Sequence, residues 1–375
     1  MSRLAGRIEV TIGWRDGRIS SVEIHNSRPA VVSRLLQGKT YTEALTLIPM
    51  LFSVCGVAQQ IASTEAVESA LQTEIFQTEI LQTEILQRES SASVSRARQQ
   101  LLLAENIREL GLRMARDWLD DRSMAQQLMQ WFVRIRAELQ WSLALNAQEQ
   151  TEEQIQEPSN QNLKMTELVE DVRSILPGQD QLNECRQQLD AAFGDIRLNP
   201  GVSAMPALGS RAMMQLLPEL ERSLKSEAGF AQQPSLLRQC YETGYAIADA
   251  EDSGADEKAH QTLTERFDRF VSALLALPDQ LLQPTPMILR NDQGMALVTA
   301  ARGLLIHRVS LQDEIVTDYQ LIAPTEWNFH PQGALLSMLE GVAVEYDRLE
   351  ALVNRLIVLV DPCVDWSVGI RKDHA

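Results

Sequence analysis

Two cysteines and an arginine stand out as groups able to do chemistry. Cys55 opens Cys55-Gly56-Val57-Ala58-Gln59 after the largely apolar stretch 48–54, and Cys363 closes Asp361-Pro362-Cys363. Arg302, in Ala301-Arg302-Gly303, sits between the apolar runs Met295 to Val298 and Leu304 to Ile306, with His307 just beyond. A thiolate is a soft metal donor, and a guanidinium is a fork of N–H donors suited to anionic groups. The run Leu356 to Val360 reads as a short buried strand, with Asp361 as helix N-cap and Pro362 as first helical residue. That reading places the Cys363 sulfur at a helix start, where amides and dipole favour thiolate. Taken alone, Cys55 reads first as a buried structural cysteine, and His307 as a satisfied sheet histidine.

The remaining cysteines, Cys185 and Cys240, lack a nearby histidine or carboxylate at ligand spacing, and no CxxC occurs. A disulfide framework and a structural zinc site are both disfavoured. The net charge of −17 leaves little to neutralise phosphates, which argues against nucleic acid as a partner. No nucleotide-binding glycine loop, GxSxG or HExxH is present, and the five histidines show no ligand spacing among themselves. The segment Met1 to Arg18 has no long apolar core, and no stretch approaches the roughly 18 apolar residues of a membrane span. The expectation is a soluble, cytoplasmic protein without membrane insertion.

These groups need elements to hold them. Arg7 to Ile12 and Ile19 to Ile24 alternate at a period of two around Asp16-Gly17, which predicts a β-hairpin. Residues 71–89 repeat a five-residue unit, and Glu74, Glu79, Glu84 and Glu89 would spiral around a helix; a solvated helical insertion is expected, with a docking surface as the alternative. From Leu101 to Trp141 the pattern is helical, and Met124, Leu128, Trp131, Phe132, Ile135 and Leu139 form one apolar stripe. Residues 146–161 read as a polar loop, and breaks fall at Pro177-Gly178 and Asn199-Pro200-Gly201. Met295 to Val298, Gly303 to Val309 and Ile315 to Ile322 read as a meander; Pro324 and Asn328 bracket a polar loop; a helix runs from about Pro331 to Asn354. The fold class is α+β, helix-rich, with small antiparallel sheets from the N- and C-terminal segments, as one domain over residues 1–375.

Four motifs together carry a family resemblance. Arg302-Gly303 with His307, the Ala323-Pro324-Thr325-Glu326-Trp327-Asn328 segment, Asp361-Pro362-Cys363 and Cys55-Gly56-Val57 resemble the PRG, APxxWN, DPCxxCxxH and RICGVC segments of nickel-iron hydrogenase large subunits. Ala301 replaces the family proline, Ala58 and Trp366 replace the second cysteine of each pair, and Gly369 replaces the final histidine. The resemblance implies loss of two of four metal-binding thiolates, so no complete nickel-iron centre forms and the protein is not a hydrogenase. Cys55-Gly56-Val57-Ala58-Gln59, and Leu101 to Glu109 with Asp117-Trp118, are similar instead to accessory proteins of the HupK/HoxV type, although Leu110 departs from a frequent histidine.

That resemblance implies a hydrogenase-large-subunit-like fold and a non-enzymatic maturation scaffold. It would hold iron carrying two cyanides and one carbonyl, Fe(CN)2CO, before delivery to the hydrogenase large-subunit precursor. It assigns metal binding to Cys55 and Cys363, a cyanide contact to Arg302, and supporting roles to His307 and Asp361. Implied partners are a small maturation chaperone of the HypC type and a HypD-type iron-assembly scaffold. The alternative is a metal-free large-subunit mimic that docks maturation chaperones.

Overall fold

The computed structural model describes residues 6–27, 31–52, 54–77, 92–143, 158–199, 218, 261–285, 287–291 and 293–373. The predicted hairpin is present: β1 (Arg7–Arg15) and β2 (Arg18–Asn26) pair antiparallel, with Ile8, Val10 and Ile12 buried. Asp16 and Gly17 both take positive φ, 53° and 79°, the backbone of a tight hairpin turn that matches strand twist. Two short helices follow, α1 (Val31–Leu36) and α2 (Tyr41–Leu51), the second opened by a Thr40–Glu43 capping box. Next come α3 (Gly56–Gln77) and α4 (Ala92–Arg113), the latter running into a π-helical turn, Met114–Trp118. In α5 (Arg122–Leu139) all six residues of the expected stripe are buried, and Trp131 Nε1 donates to Leu168 O at 2.8 Å. Of the helices α6 (Pro158–Ile175), α7 (Gln179–Phe193) and α8 (Leu263–Gln280), α6 packs on α5, α8 on α4 and α6, and α7 on α8.

The meander forms as a four-stranded antiparallel sheet of β3 (Ile288–Arg290), β4 (Met295–Ala300), β5 (Gly303–Gln312) and β6 (Ile315–Ile322), in that order. Helix α3 lies across β4 and β5. Its first turns enter the main core through Val57, Ala58, Ile61 and Ala62, and Ala66, Val67 and Ala70 enter a smaller core against Ala296, Val309 and Tyr319. A helix buried nearly all round can carry a functional group at its start without exposing it. Gly294 enters β4 at φ +76°, where a β-carbon would stand 2.2 Å from the Val309 carbonyl oxygen. Gly294→Ala is expected to cost about 2 kcal/mol, read as a lowered urea midpoint at unchanged slope.

The C-terminal part departs from expectation in several ways. Pro324 to Asn328 is a helix, α9 (Pro324–Asn328), with Pro324, Thr325, Trp327 and Asn328 buried, rather than a polar loop. The predicted Pro331 to Asn354 helix divides into α10 (Ala334–Leu339) and α11 (Tyr346–Val360), broken after Glu340 where Gly341 has φ +74°. Leu356 to Val360 is the last turn of α11, not a strand. Leu349, Leu352, Val353, Leu356, Ile357 and Val360 fall at helical spacing and are buried, and a five-residue apolar run read alone cannot separate the two periods. Asp361 is consequently the C-cap of α11, in the left-handed region at φ 55°, and Cys363 follows a helix end instead of opening a helix. The chain then forms β7 (Asp365–Lys372), which pairs parallel with β1, so the N-terminal sheet has the order β2-β1-β7. Helix α6 begins at Pro158, inside the expected 146–161 loop, with proline at the first helical position. Residues 144–157, most of the 71–89 repeat (78–89) and Cys240 lie outside the described residues. No helix among the described residues is long and apolar enough to cross a membrane.

Candidate functional site

Cys55 supplies the first carbonyl of α3, accepting from Gln59 N at 3.0 Å, so the helix-start position expected for Cys363 belongs to Cys55. The amides there are already engaged: Glu105 Oε1 and Oε2 accept from Val57 N at 2.9 Å and Ala58 N at 2.8 Å. Glu105, Glu109 and Arg113 recur every four residues along α4 and are all buried, which puts them on one face. Burial pushes the Glu105 carboxyl up to about 7, against the nearby Arg108 charge and the two amides. Burial also pushes the Cys55 thiol up, with Arg302 opposing it.

Arg302 occupies the two-residue turn between β4 and β5, and Gly303 beside it has φ 129°. Its Nη1 lies 3.1 Å from Cys55 Sγ and 3.0 Å from Glu109 Oε2, and its Nε lies 2.7 Å from Asp361 Oδ2. Asn328 Nδ2 on α9 donates to the Arg302 carbonyl at 3.0 Å and fixes the turn from below. Arg113 Nη2 reaches the same Asp361 Oδ2, and its Nη1 donates to Leu359 O at 3.0 Å, anchoring the carbonyl end of α11. Asp361 in the left-handed conformation is thereby clamped by two guanidinium groups, and this sets the exit of the chain toward Cys363. Thr325 Oγ1 lies 3.0 Å from Cys363 Sγ and accepts from Cys363 N at 3.3 Å. A thiolate at Cys363 would raise the Cys55 thiol further and stabilise the charge on Arg302, so both sulfurs act on one guanidinium.

The structure therefore brings Cys55, Arg302, Asp361 and Cys363 together. His307 is placed one layer away: its Nε2 lies 2.8 Å from Gln59 Oε1 and its Nδ1 2.6 Å from Tyr319 Oη, with no contact to either cysteine. Burial holds its imidazole down to about 3. The unfolded chain binds this proton below about pH 6.5 and the folded chain only near 3, so its stabilising contribution is present above 6.5 and is lost as pH falls. Between pH 7 and 5.5 the wild type is expected to lose about 1 kcal/mol more stability than His307→Gln in urea titrations. Glu105 acts in the opposite sense below pH 7, so the difference between the two proteins, not either slope, isolates His307.

Glu105, Glu109, Arg113, Thr325, Gln59 and Tyr319 had no assigned role from sequence. The available signal was the pair of carboxylates at four-residue spacing, Glu105 and Glu109, in a helix that carries the apolar run Leu101 to Ala104. Chemically the arrangement offers two sulfurs and one guanidinium, with Glu105, Glu109 and Asp361 balanced by Arg108, Arg113 and Arg302. Among the described residues no three His, Cys, Asp or Glu side chains converge as a metal site. Two thiols suit a metal fragment that brings its own strong ligands better than a bare ion, which would seek about four donors from the protein.

Comparisons with known proteins bear on the family and the fold. A family model for nickel-dependent hydrogenase matches residues 257–368. The chain is 31% identical to hydrogenase expression/formation protein HupV of Azotobacter chroococcum mcd 1, over 98% of this chain and 99% of that one. It is 30% identical to hydrogenase expression/formation protein HupK of Azotobacter vinelandii, again over 98% and 99%. Among solved structures, the Ni-Fe-Se hydrogenase of D. vulgaris Hildenborough superposes with a TM-score of 0.52 at 11% identity, covering 93% of this chain and 94% of that one. The reduced, active Ni-Fe-Se hydrogenase of Desulfomicrobium baculatum gives 0.52 at 12% identity over 94% and 95%. These structures share the fold expected from the sequence.

Proposed function

The chain belongs to the family of hydrogenase expression/formation proteins that includes HupK and HupV, and from that footing we propose that it is a scaffold holding Fe(CN)2CO for the hydrogenase large-subunit precursor. Its role is in hydrogenase maturation, as an accessory protein. The observation that carries the finer reading is Arg302 Nη1 at 3.1 Å from Cys55 Sγ, with Cys363 close enough to act on the same guanidinium. In this reading Cys55 and Cys363 complete the coordination of an iron that already carries diatomic ligands, and soft sulfur suits low-spin iron. Arg302 donates to a cyanide nitrogen, because no described residue takes its Nη2. Two protein ligands bind more weakly than four, which suits cargo that must leave. Asp361 acts by holding Arg302, and His307 acts at a distance through Gln59. The donor and acceptor would be a HypD-type scaffold, a HypC-type chaperone and the large-subunit precursor.

The test is infrared spectroscopy on protein purified without oxygen from cells with an intact hydrogenase maturation system. Cyanide and carbonyl stretches that vanish in Cys363→Ala are the expected result. Silence in the wild type would overturn the reading in favour of a metal-free assembly partner. One feature favours that second reading: Arg302 is engaged by protein groups, Nη1 by Cys55 and Glu109 and Nε by Asp361.

A further inference from the structure

We propose that Gln59 is a second hydrogen-bond donor to the cargo, directed at the nitrogen end of an iron-bound cyanide; this rests on the scaffold reading above. Gln59 lies one helical turn beyond Cys55 on the same face of α3, and it is 3% exposed. Both residues face the β5 region, Cys55 against Arg302 and Gln59 against His307.

The orientation of the Gln59 carboxamide follows from a proton count. Tyr319 and His307 are fully enclosed, and Tyr319 Oη has His307 Nδ1, 2.6 Å away, as its one hydrogen-bond partner among the described residues. A buried phenol O–H with a single available acceptor donates to it. Nδ1 is then the acceptor, the ring proton sits on Nε2, and Nε2–H donates to Gln59 Oε1 at 2.8 Å. The relay fixes the carboxamide oxygen toward the histidine and leaves the NH2 group with no partner among the described residues. The oxygen is thus committed to the histidine, and the two N–H groups are left available as donors.

The ligand class follows from what such donors recognise. A metal-bound cyanide ends in a nitrogen lone pair and accepts hydrogen bonds well, whereas the oxygen of a bound carbonyl accepts poorly. An Fe(CN)2CO fragment has two strong acceptors and one weak one. Arg302 and Gln59 supply two separated donors, one for each cyanide. His307 and Tyr319 are then positioning residues that keep the Gln59 amide turned nitrogen-outward.

The experiment compares wild type, Gln59→Met and Arg302→Lys by infrared spectroscopy and iron analysis, each purified anaerobically from maturation-competent cells. Gln59→Met preserves length and helix propensity while removing the donors. The expected result is retained iron with one cyanide band displaced, the carbonyl band moving less, and Arg302→Lys displacing the other cyanide band. Cyanide bands unmoved in loaded Gln59→Met overturn the proposal and leave the scaffold reading standing. An absence of bands in the wild type overturns both. If Gln59→Met fails to load, Tyr319→Phe decides, because it removes the proton that fixes the relay without touching the carboxamide: a displaced or split cyanide band supports the proposal, and an unchanged one overturns it.

Discussion

On the scaffold reading, Cys55→Ser and Cys363→Ser are each expected to abolish iron loading while leaving the protein folded. Serine keeps the shape of cysteine and can still accept from Arg302 at position 55, so the stability change should stay near 1 kcal/mol. The hydroxyl is a hard donor and stays protonated at neutral pH, so it cannot replace a soft thiolate on low-spin iron. With Cys55 and Cys363 as the sulfurs the site brings together among the described residues, removing either halves their share of the coordination. Iron per chain, measured after anaerobic purification, should fall to the background of an unrelated protein, with a urea midpoint near that of the wild type. Iron content equal to wild type in both variants would sink the assignment of these thiols.

Arg302→Met is expected to be the most destabilising single change in the site. Arg302 is the buried partner of Glu109, Asp361 and Cys55 at once, and methionine leaves the two carboxylates facing an apolar side chain. Breaking a buried ion pair from one side costs about 3–5 kcal/mol, mostly as the penalty of the stranded charge. Asp361 keeps Arg113 and Glu109 keeps Arg108, which places the expected loss at the lower end of that range. Adding Glu109→Gln to Arg302→Met should recover about 1 kcal/mol or more, because a neutral amide tolerates the apolar neighbour. A double variant less stable than the single one would show that Glu109 is held chiefly by Arg108.

What could be read from the sequence was whatever local periodicity decides. The hairpin was legible because Ile8, Val10 and Ile12 alternate before Asp16-Gly17, and the α5 stripe because six apolar residues share one face. The pairing of Cys55, Arg302 and Cys363 was legible only through family resemblance, since no local rule joins residues so far apart. Leu356 to Val360 was misread because five consecutive apolar residues look alike in a strand and in the last turn of a helix. The left-handed turn at Asp361 depends on Arg113 and Arg302, which arrive from other elements. Glu105 and Glu109 carried the strongest unread signal. Charges on a helix ordinarily mark a solvated face, and it is the approach of Arg302, 193 residues away, that ties Glu109 to the site.

The parallel pairing of β7 with β1 has a consequence for timing. Ile8 stands opposite Trp366, so the strand that follows Cys363 docks against β1, far before it in the sequence. Closing so long a loop is among the slower steps available to a folding chain, and it cannot begin until the β7 residues have been synthesised. The Cys363 limb consequently reaches Cys55 late, after the hairpin and the helical core can have formed. A nascent or half-folded chain offers one sulfur, and only the closed chain offers two. The topology thus sets an order: the two sulfurs come together only once the sheet β2-β1-β7 has closed.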